Sequence, residues 1–141
     1  MKNKSIKLIF SFIFILSVTA VAALAQTSGN KQCLAYEPAT VTLKGKLLRK
    51  AVINASEQTE VIWVLKLEDS VCVAADAENE FNPSVESVTE VQLVLNREHL
   101  IKSRDLQNRK ISVNGALFAG HTQHHFTDVL LMVANVKKKF N

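Results

Sequence analysis

Three of the four histidines in this chain lie within one short polar segment, residues 120–128. They are His121, His124 and His125, and Asp128 closes the segment. Neutral imidazole is the side chain that most often binds transition metals in proteins, and histidine changes its charge near neutral pH. The segment therefore predicts a ligand-binding surface, and zinc or copper held by the three histidines is one form that it would take.

The spacing of these histidines matches no standard metal-binding motif. On an extended strand His121 and His125 would face the same way but about 13 Å apart, so they would share one ion only where the chain curls. Asp128 would then supply an oxygen ligand or orient an imidazole ring. Two further interpretations stay open. The histidines would cap loop carbonyls and pack on the fold, or the segment would be a polar recognition loop for a partner or a small ligand.

Other catalytic groups are sparse. No Gly-x-Ser-x-Gly nucleophile motif occurs, and the acidic residues are scattered. An enzyme would have to use His124 or His125 as a general base, with Asp128 as the only nearby carboxylate. The fourth histidine, His99, is predicted to be solvated on a helix. The sequence therefore favours a non-enzymatic protein that requires no cofactor.

The first 25 residues have the three-part layout of a secretory signal peptide. Three lysines precede an apolar run at 8–18, and Ala23-Leu24-Ala25 gives the small-x-small cleavage pattern before Gln26. An uncleaved membrane anchor is the alternative, because residues 8–25 are just long enough to span a bilayer. We predict a periplasmic or secreted protein with no membrane span after cleavage.

The charge of the chain argues against one class of partner. The formal net charge is +4, but three of the 17 Lys and Arg residues lie in the leader. The remaining 14 face 13 acidic residues, a net charge of about +1 for the folded part. Bulk charge therefore does not support a nucleic-acid binder. A hydrophobic content of 48% is sufficient for the core of one domain.

The two cysteines, Cys33 and Cys72, both follow the leader. An even count in an exported protein favours one disulfide, with two buried free thiols as the alternative. A cross-link across this loop would contribute about 4 kcal/mol to stability. Tyr36, three residues after Cys33, is predicted to pack against the disulfide with its hydroxyl at the surface, and it joins the candidate ligand surface.

Period-two hydrophobic patterns predict five strands, with one short helix between the third and the fourth. Gly45 and Gly115 stand at matching positions in strands one and four, where they predict a bulge or sharp coiling. This order is that of the OB-fold, so the predicted fold class is all-β with one short helix, a small five-stranded Greek-key barrel. A plain sandwich is the alternative. In chain order, the predicted elements cover residues 41–47, 61–68, 88–95, 96–106, 110–118 and 126–136.

Three regions follow from these assignments: a signal peptide at 1–25, an N-terminal segment at 26–38 and the barrel domain at 39–141. Trp63 shares a face with other apolar residues and is predicted to lie in the core. Residues 129–134 are apolar on both faces, which predicts a strand buried on both sides.

A set of short motifs extends over most of the chain after the leader: Cys33-Leu34-Ala35-Tyr36-Glu37-Pro38, 41–47, 63–67, Val71-Cys72-Val73, 113–118 and 124–131. Together they resemble an exported bacterial family defined as domain of unknown function 4431. The resemblance runs from Cys33 to about Val133. The family pattern has a glycine where this chain has Gln123 and a histidine where it has Phe126. The resemblance supports the predicted fold and disulfide, and it implies no activity.

We therefore expect an exported cell-envelope binding module, non-enzymatic and stabilised by one disulfide. Its partner would be an envelope protein or a small ligand. One alternative is a metal-binding protein that holds zinc or copper on the histidine segment. The other is an inhibitor or accessory partner of another envelope protein, which predicts an exposed apolar patch.

Overall fold

Five strands and one helix form in the structure, a computed structural model that describes residues 32–138. The predicted signal peptide at 1–25 lies outside the described residues, and so do residues 26–31 of the predicted N-terminal segment. In chain order, the elements are β1 (Thr40–Ile53), β2 (Thr59–Val73), β3 (Val85–Val94), α1 (Arg97–Asp105), β4 (Lys110–Ala119) and β5 (Val129–Lys138).

The five strands close into a barrel in the order β1-β2-β3-β5-β4, with β4 returning to β1. Every neighbouring pair is antiparallel except β3 and β5, which are parallel. This is the Greek-key order of the OB-fold, so the predicted fold class is confirmed.

Alternate residues of each strand point into the barrel and form its core. Trp63 belongs to this core, as predicted, and is 7% exposed. The side chains with the least exposure come from all five strands. They include Leu47, Leu65, Val91, Ile111, Val113, Leu117 and Leu131.

Gly45 and Gly115 lie inside strands, where the backbone of the neighbouring strand comes too close for a side chain. A Cβ added at Gly45 would collide with the carbonyl oxygen of Lys66, and one added at Gly115 would collide with that of Met132. The register between β4 and β5 also shifts between Asn114 and Gly115. The glycines therefore permit the strong local curvature that closes the sheet.

Helix α1 begins at a capped end, where the side chain of Asn96 accepts a hydrogen bond from the backbone N–H of His99. His99 and Ser103, one turn apart, are both buried. The prediction that His99 is solvated is therefore wrong. Its position places it on the helix face that packs inward, beside the partly buried Leu100.

The limits of four strands differ from the prediction. β1 continues past residue 47 to Ile53, and β2 continues past residue 68 to Val73, because exposed polar residues interrupt the apolar alternation without ending the pairing. β3 starts at Val85 rather than at residue 88. β5 starts at Val129 rather than at residue 126, because the preceding residues belong to the loop described below.

A disulfide joins Cys33 to Cys72, at a sequence separation of 39, and confirms the predicted cross-link. It fastens the N-terminal segment to the end of β2. Beside it, the backbone N–H of Leu34 donates to Cys72 and that of Ala74 donates to Leu34. A disulfide is consistent with an extracytoplasmic protein. Within residues 32–138, no helix has the length and apolar character needed to cross a membrane.

Candidate functional site

Residues 120–128, which we name the histidine loop, connect β4 to β5 and fold over the outside of the barrel. The surface beneath is formed by Val64, Gln92 and Leu130, which lie side by side on β2, β3 and β5. All three side chains are buried, although Val64 and Leu130 stand outside the core cluster. The predicted burial of β5 on both sides is thus found at residues 129–131, whereas Met132 is exposed.

Gln92 fastens the loop to this surface with both ends of its side chain. Its Nε2 donates to the carbonyl oxygen of His124 at 2.9 Å, and its Oε1 accepts from the backbone N–H of Phe126 at 2.8 Å. Its backbone N–H donates to Oγ1 of Thr127 at 3.0 Å. Because Gln92 is only 8% exposed, these bonds satisfy polar groups that water does not reach freely.

His121 and His125 lie together at one end of the loop, and their ring centroids are 5.0 Å apart. Nδ1 of His125 accepts a hydrogen bond from the backbone N–H of His121 at 3.0 Å. Nδ1 of His121 lies 2.9 Å from the carbonyl oxygen of Ala119, so this nitrogen must carry a proton and donate. The ring of Phe118 packs edge-on against that of His125. This pair therefore holds the loop in its curled shape.

His124 points elsewhere, towards a carboxylate on β2. Its Nδ1 lies 2.7 Å from Oε1 of Glu60, which also accepts from Nδ2 of Asn54 at 2.6 Å. The hydrogen bond from Asn54 is the main cause that lowers the pKa of Glu60, and His124 lowers it further. Asn54 lies in the turn between β1 and β2, so Glu60 connects that turn to the histidine loop.

Asp128 and Tyr36 do not join the histidines. The backbone carbonyl of Asp128 accepts from the N–H of Gly120, which closes the loop. Tyr36 is 3% exposed, and its hydroxyl donates to the carbonyl oxygen of Pro83 at 2.8 Å. Burial raises the pKa of Tyr36, and the charge of Asp128 raises it further. The prediction that the Tyr36 hydroxyl lies at the surface is therefore wrong, because the side chain is part of the core.

The arrangement limits what the histidines could bind together. Within residues 32–138, no three His, Cys, Asp or Glu side chains are grouped as a metal ion would require. The structure brings His121 and His125 together and leaves His124 on Glu60. For a zinc or copper ion the loop therefore offers two neighbouring histidines, and further ligands would be needed to complete the coordination. A metal site on the loop stays a prediction.

The same contacts change which carboxylate could assist a histidine in acid–base chemistry. The carboxylate within hydrogen-bond reach of His124 is that of Glu60, not that of Asp128 as the sequence suggested. The other ring nitrogen of His124, Nε2, lies 3.5 Å from Nε2 of the Gln123 side chain. The His124 side chain is 58% exposed and that of Glu60 is 26% exposed, so water reaches the imidazole more freely than the carboxylate.

The sequence did not single out Glu60 or Gln92. Both occupy outward positions of alternating strands, where a polar side chain is expected and carries no further signal. The neighbouring residues on β2 did carry a signal that this surface is covered. The outward residues Ile62 and Val64 on β2 are apolar, which indicates that something covers this part of the wall.

One continuous stretch of the chain, residues 90–137, contains Gln92, α1, β4, the histidine loop and most of β5. Residues 90–137 match the model of the family described as Domain of unknown function (DUF4431). The family resemblance is thereby confirmed over these residues. The DUF4431 match contains the whole histidine loop, whereas Glu60 and both cysteines precede it.

Among solved structures, the chain is similar to the crystal structure of small single-stranded DNA-binding protein from Streptomyces coelicolor. The two are 13% identical, with a TM-score of 0.39, and the match covers 72% of this chain and 92% of that chain. A likeness at this level says nothing about what this chain binds. No curated protein matches the sequence.

We expect Gln92→Ala to lower the free energy of unfolding by about 2 kcal/mol, because the substitution leaves the buried partners of both amide ends unsatisfied. Urea denaturation measures the loss, and faster hydrogen exchange at the amide of Phe126 locates it. The control is Gln58→Ala, which removes an exposed glutamine side chain and should change stability by about 0.5 kcal/mol or less. Equal stability of the two variants would contradict the role given to Gln92.

Stability should rise with pH in the window below the ordinary histidine pKa of 6.5. Burial lowers the pKa of His125, and the charges of His121 and His124 lower it further. In this window the unfolded chain therefore binds more protons than the folded one, so acid favours unfolding. Urea denaturation between about pH 5 and pH 8 measures the slope. His125→Asn should flatten it, and an unchanged slope in that variant would contradict the assignment.

Proposed function

We propose that this chain is an exported binding module of the cell envelope, periplasmic or secreted, and that it is not an enzyme. Its contact surface would be the tip of the histidine loop, formed by His121, Thr122, Gln123 and His124. The observation that carries the proposal is that these four residues are exposed while the base of the loop is fixed to the barrel.

A loop held in this way is suited to recognition, because little conformational entropy is lost when a partner binds. A loop that only connected two strands would not need Gln92, Glu60 and the His121–His125 pair to hold it. The histidine nitrogens described above bond to the backbone of Ala119 and of His121 and to the side chain of Glu60. These bonds position the loop, which supports a binding role over a catalytic one.

Export is tested by the mass of the protein recovered after expression of the full chain in a bacterium. The expected product begins at Gln26 and contains one disulfide. A product that retains Met1, or that contains two free thiols, would contradict export.

The contact surface is tested by photo-cross-linking in whole cells. A photoreactive amino acid is placed at Gln123, in the loop tip, or at Lys44, which is exposed on β1. We expect a defined adduct from position 123 and none from position 44. Two results would reject the loop as the contact surface. One is the same adduct from both positions, and the other is no adduct from position 123, either in cells or after an envelope extract is added.

Zinc or copper binding is the second candidate, and the closeness of His121 to His125 favours it. If the pair binds an ion, excess metal should raise the melting temperature by several degrees, because the ion stabilises only the folded state. His121→Ala should abolish that rise, and acid should weaken it. An unchanged melting temperature in wild-type protein would remove this candidate.

A further inference from the structure

A second concave surface lies away from the histidine loop, where β1 and β2 extend past the closed barrel. β1 pairs with β4 only as far as Lys46, but it continues to pair with β2 up to Ile53. The inward side of this two-stranded extension forms a cleft of about 420 Å³ together with α1. We name it the arginine cleft, and its lining residues are Arg49, Val61, Trp63, Leu100, Arg104 and Gln107.

The floor of the arginine cleft is apolar. Trp63 lies at its inner end, where the cleft meets the core, and Val61 lies two residues further out on β2. Val61 is 51% exposed, and Leu100 of α1 is partly buried against the core. A ligand that removes this apolar surface from water lowers the free energy of the system, which favours binding.

The walls of the arginine cleft are positively charged. Arg49 projects from β1, opposite Trp63 in the strand register, and Arg104 projects from α1. Within residues 32–138, neither guanidinium forms an ion pair or a side-chain hydrogen bond. None of the six lining residues is acidic. Glu98, the acid in the first turn of α1, is paired with Lys102, and that pairing lowers its pKa.

We propose that the arginine cleft binds a small anionic molecule that carries an apolar group. The two guanidinium groups would hold a carboxylate or a phosphate, because their planar donors match the oxygens of both. The apolar group would lie on Val61 and Leu100 and reach the edge of Trp63. The volume is within the range of small-ligand sites. This inference does not depend on the histidine loop or on export.

The chain contains its own reporter for this test, because Trp63 is the only tryptophan. Dodecanoate and dodecyl phosphate, each below its micelle-forming concentration, are titrated while tryptophan fluorescence is recorded. We expect a saturable change with at least one of the two, and the tighter binder identifies the preferred head group. Inorganic phosphate alone should bind more weakly, and dodecyltrimethylammonium should cause no saturable change.

Substitutions separate the arginine cleft from unspecific adsorption. Arg49→Gln and Arg104→Gln should each weaken binding about tenfold, the loss expected when one charge-assisted hydrogen bond is removed. Both arginines are exposed, so the fold should tolerate these changes. Arg97→Gln, on the same helix but outside the cleft, is the matched control and should bind as wild type does. His121→Ala should also bind normally, which separates this site from the histidine loop.

Three results would overturn the proposal. The first is equal binding of the cationic and anionic amphiphiles. The second is an equal effect of Arg97→Gln and of the two cleft variants. The third is no saturable fluorescence change with either anionic probe.

Discussion

Replacing both cysteines, Cys33→Ala with Cys72→Ala, is expected to lower the free energy of unfolding by about 4 kcal/mol. The bond closes a loop at a sequence separation of 39, and its loss enlarges the set of conformations open to the unfolded chain. For a domain of this size the melting temperature should fall by roughly 20 °C. Thermal and urea denaturation of the two proteins measure the difference.

A reductant provides the control for this experiment. It should lower the melting temperature of the wild-type protein to near that of the double variant and leave the variant itself unchanged. The N-terminal segment would then be held to β2 by the two backbone hydrogen bonds of Leu34 and by the packing of Tyr36. A double variant as stable as the wild type would show that the bond does not determine stability.

The second large effect is expected from Gly45→Ala and Gly115→Ala, each of which should cost about 3 kcal/mol. A methyl group at either position would meet a backbone carbonyl of the neighbouring strand, and a backbone that belongs to a closed barrel has little room to move away. Urea denaturation measures the loss, with circular dichroism to confirm that the strands persist.

Lys44→Ala is the matched control for the glycine variants. Lys44 is the neighbour of Gly45 on the same strand, and its side chain is exposed. Its removal should change stability by about 0.5 kcal/mol or less. If Gly45→Ala were as mild as Lys44→Ala, the close approach of β1 and β2 would not be a constraint on the fold.

The strands and their order could be predicted because the interior positions alternate regularly. Val113, Gly115 and Leu117 on β4 are an example, since every second residue faces the core and the residues between face outward. The glycines at matching places in β1 and β4 pointed to the curvature. The disulfide was predicted from the even number of cysteines and from the expected oxidising compartment, without any knowledge of the distance between the two cysteines.

The histidine loop could not be predicted in the same way. Alternation tells which face of a strand looks outward, but not whether another segment covers that face. Gln92 therefore looks like an ordinary solvated residue until the loop is seen to bury it. His99 shows the same limit on a helix, where a polar side chain at a buried position resembles one in water.

The histidine loop covers the outer surface of β2, β3 and β5, and this has a consequence for how the binding specificity of related chains could change. In many OB-folds a ligand binds on the face of the second and third strands and on two neighbouring loops. Here a partner arriving at this side would meet the exposed residues 121–124, because the sheet beneath is already occupied. If the loop tip is the contact surface proposed above, related chains could change specificity at Gln123 with little effect on folding. A change at His121, His124 or Gln92 would also remove a bond that holds the loop.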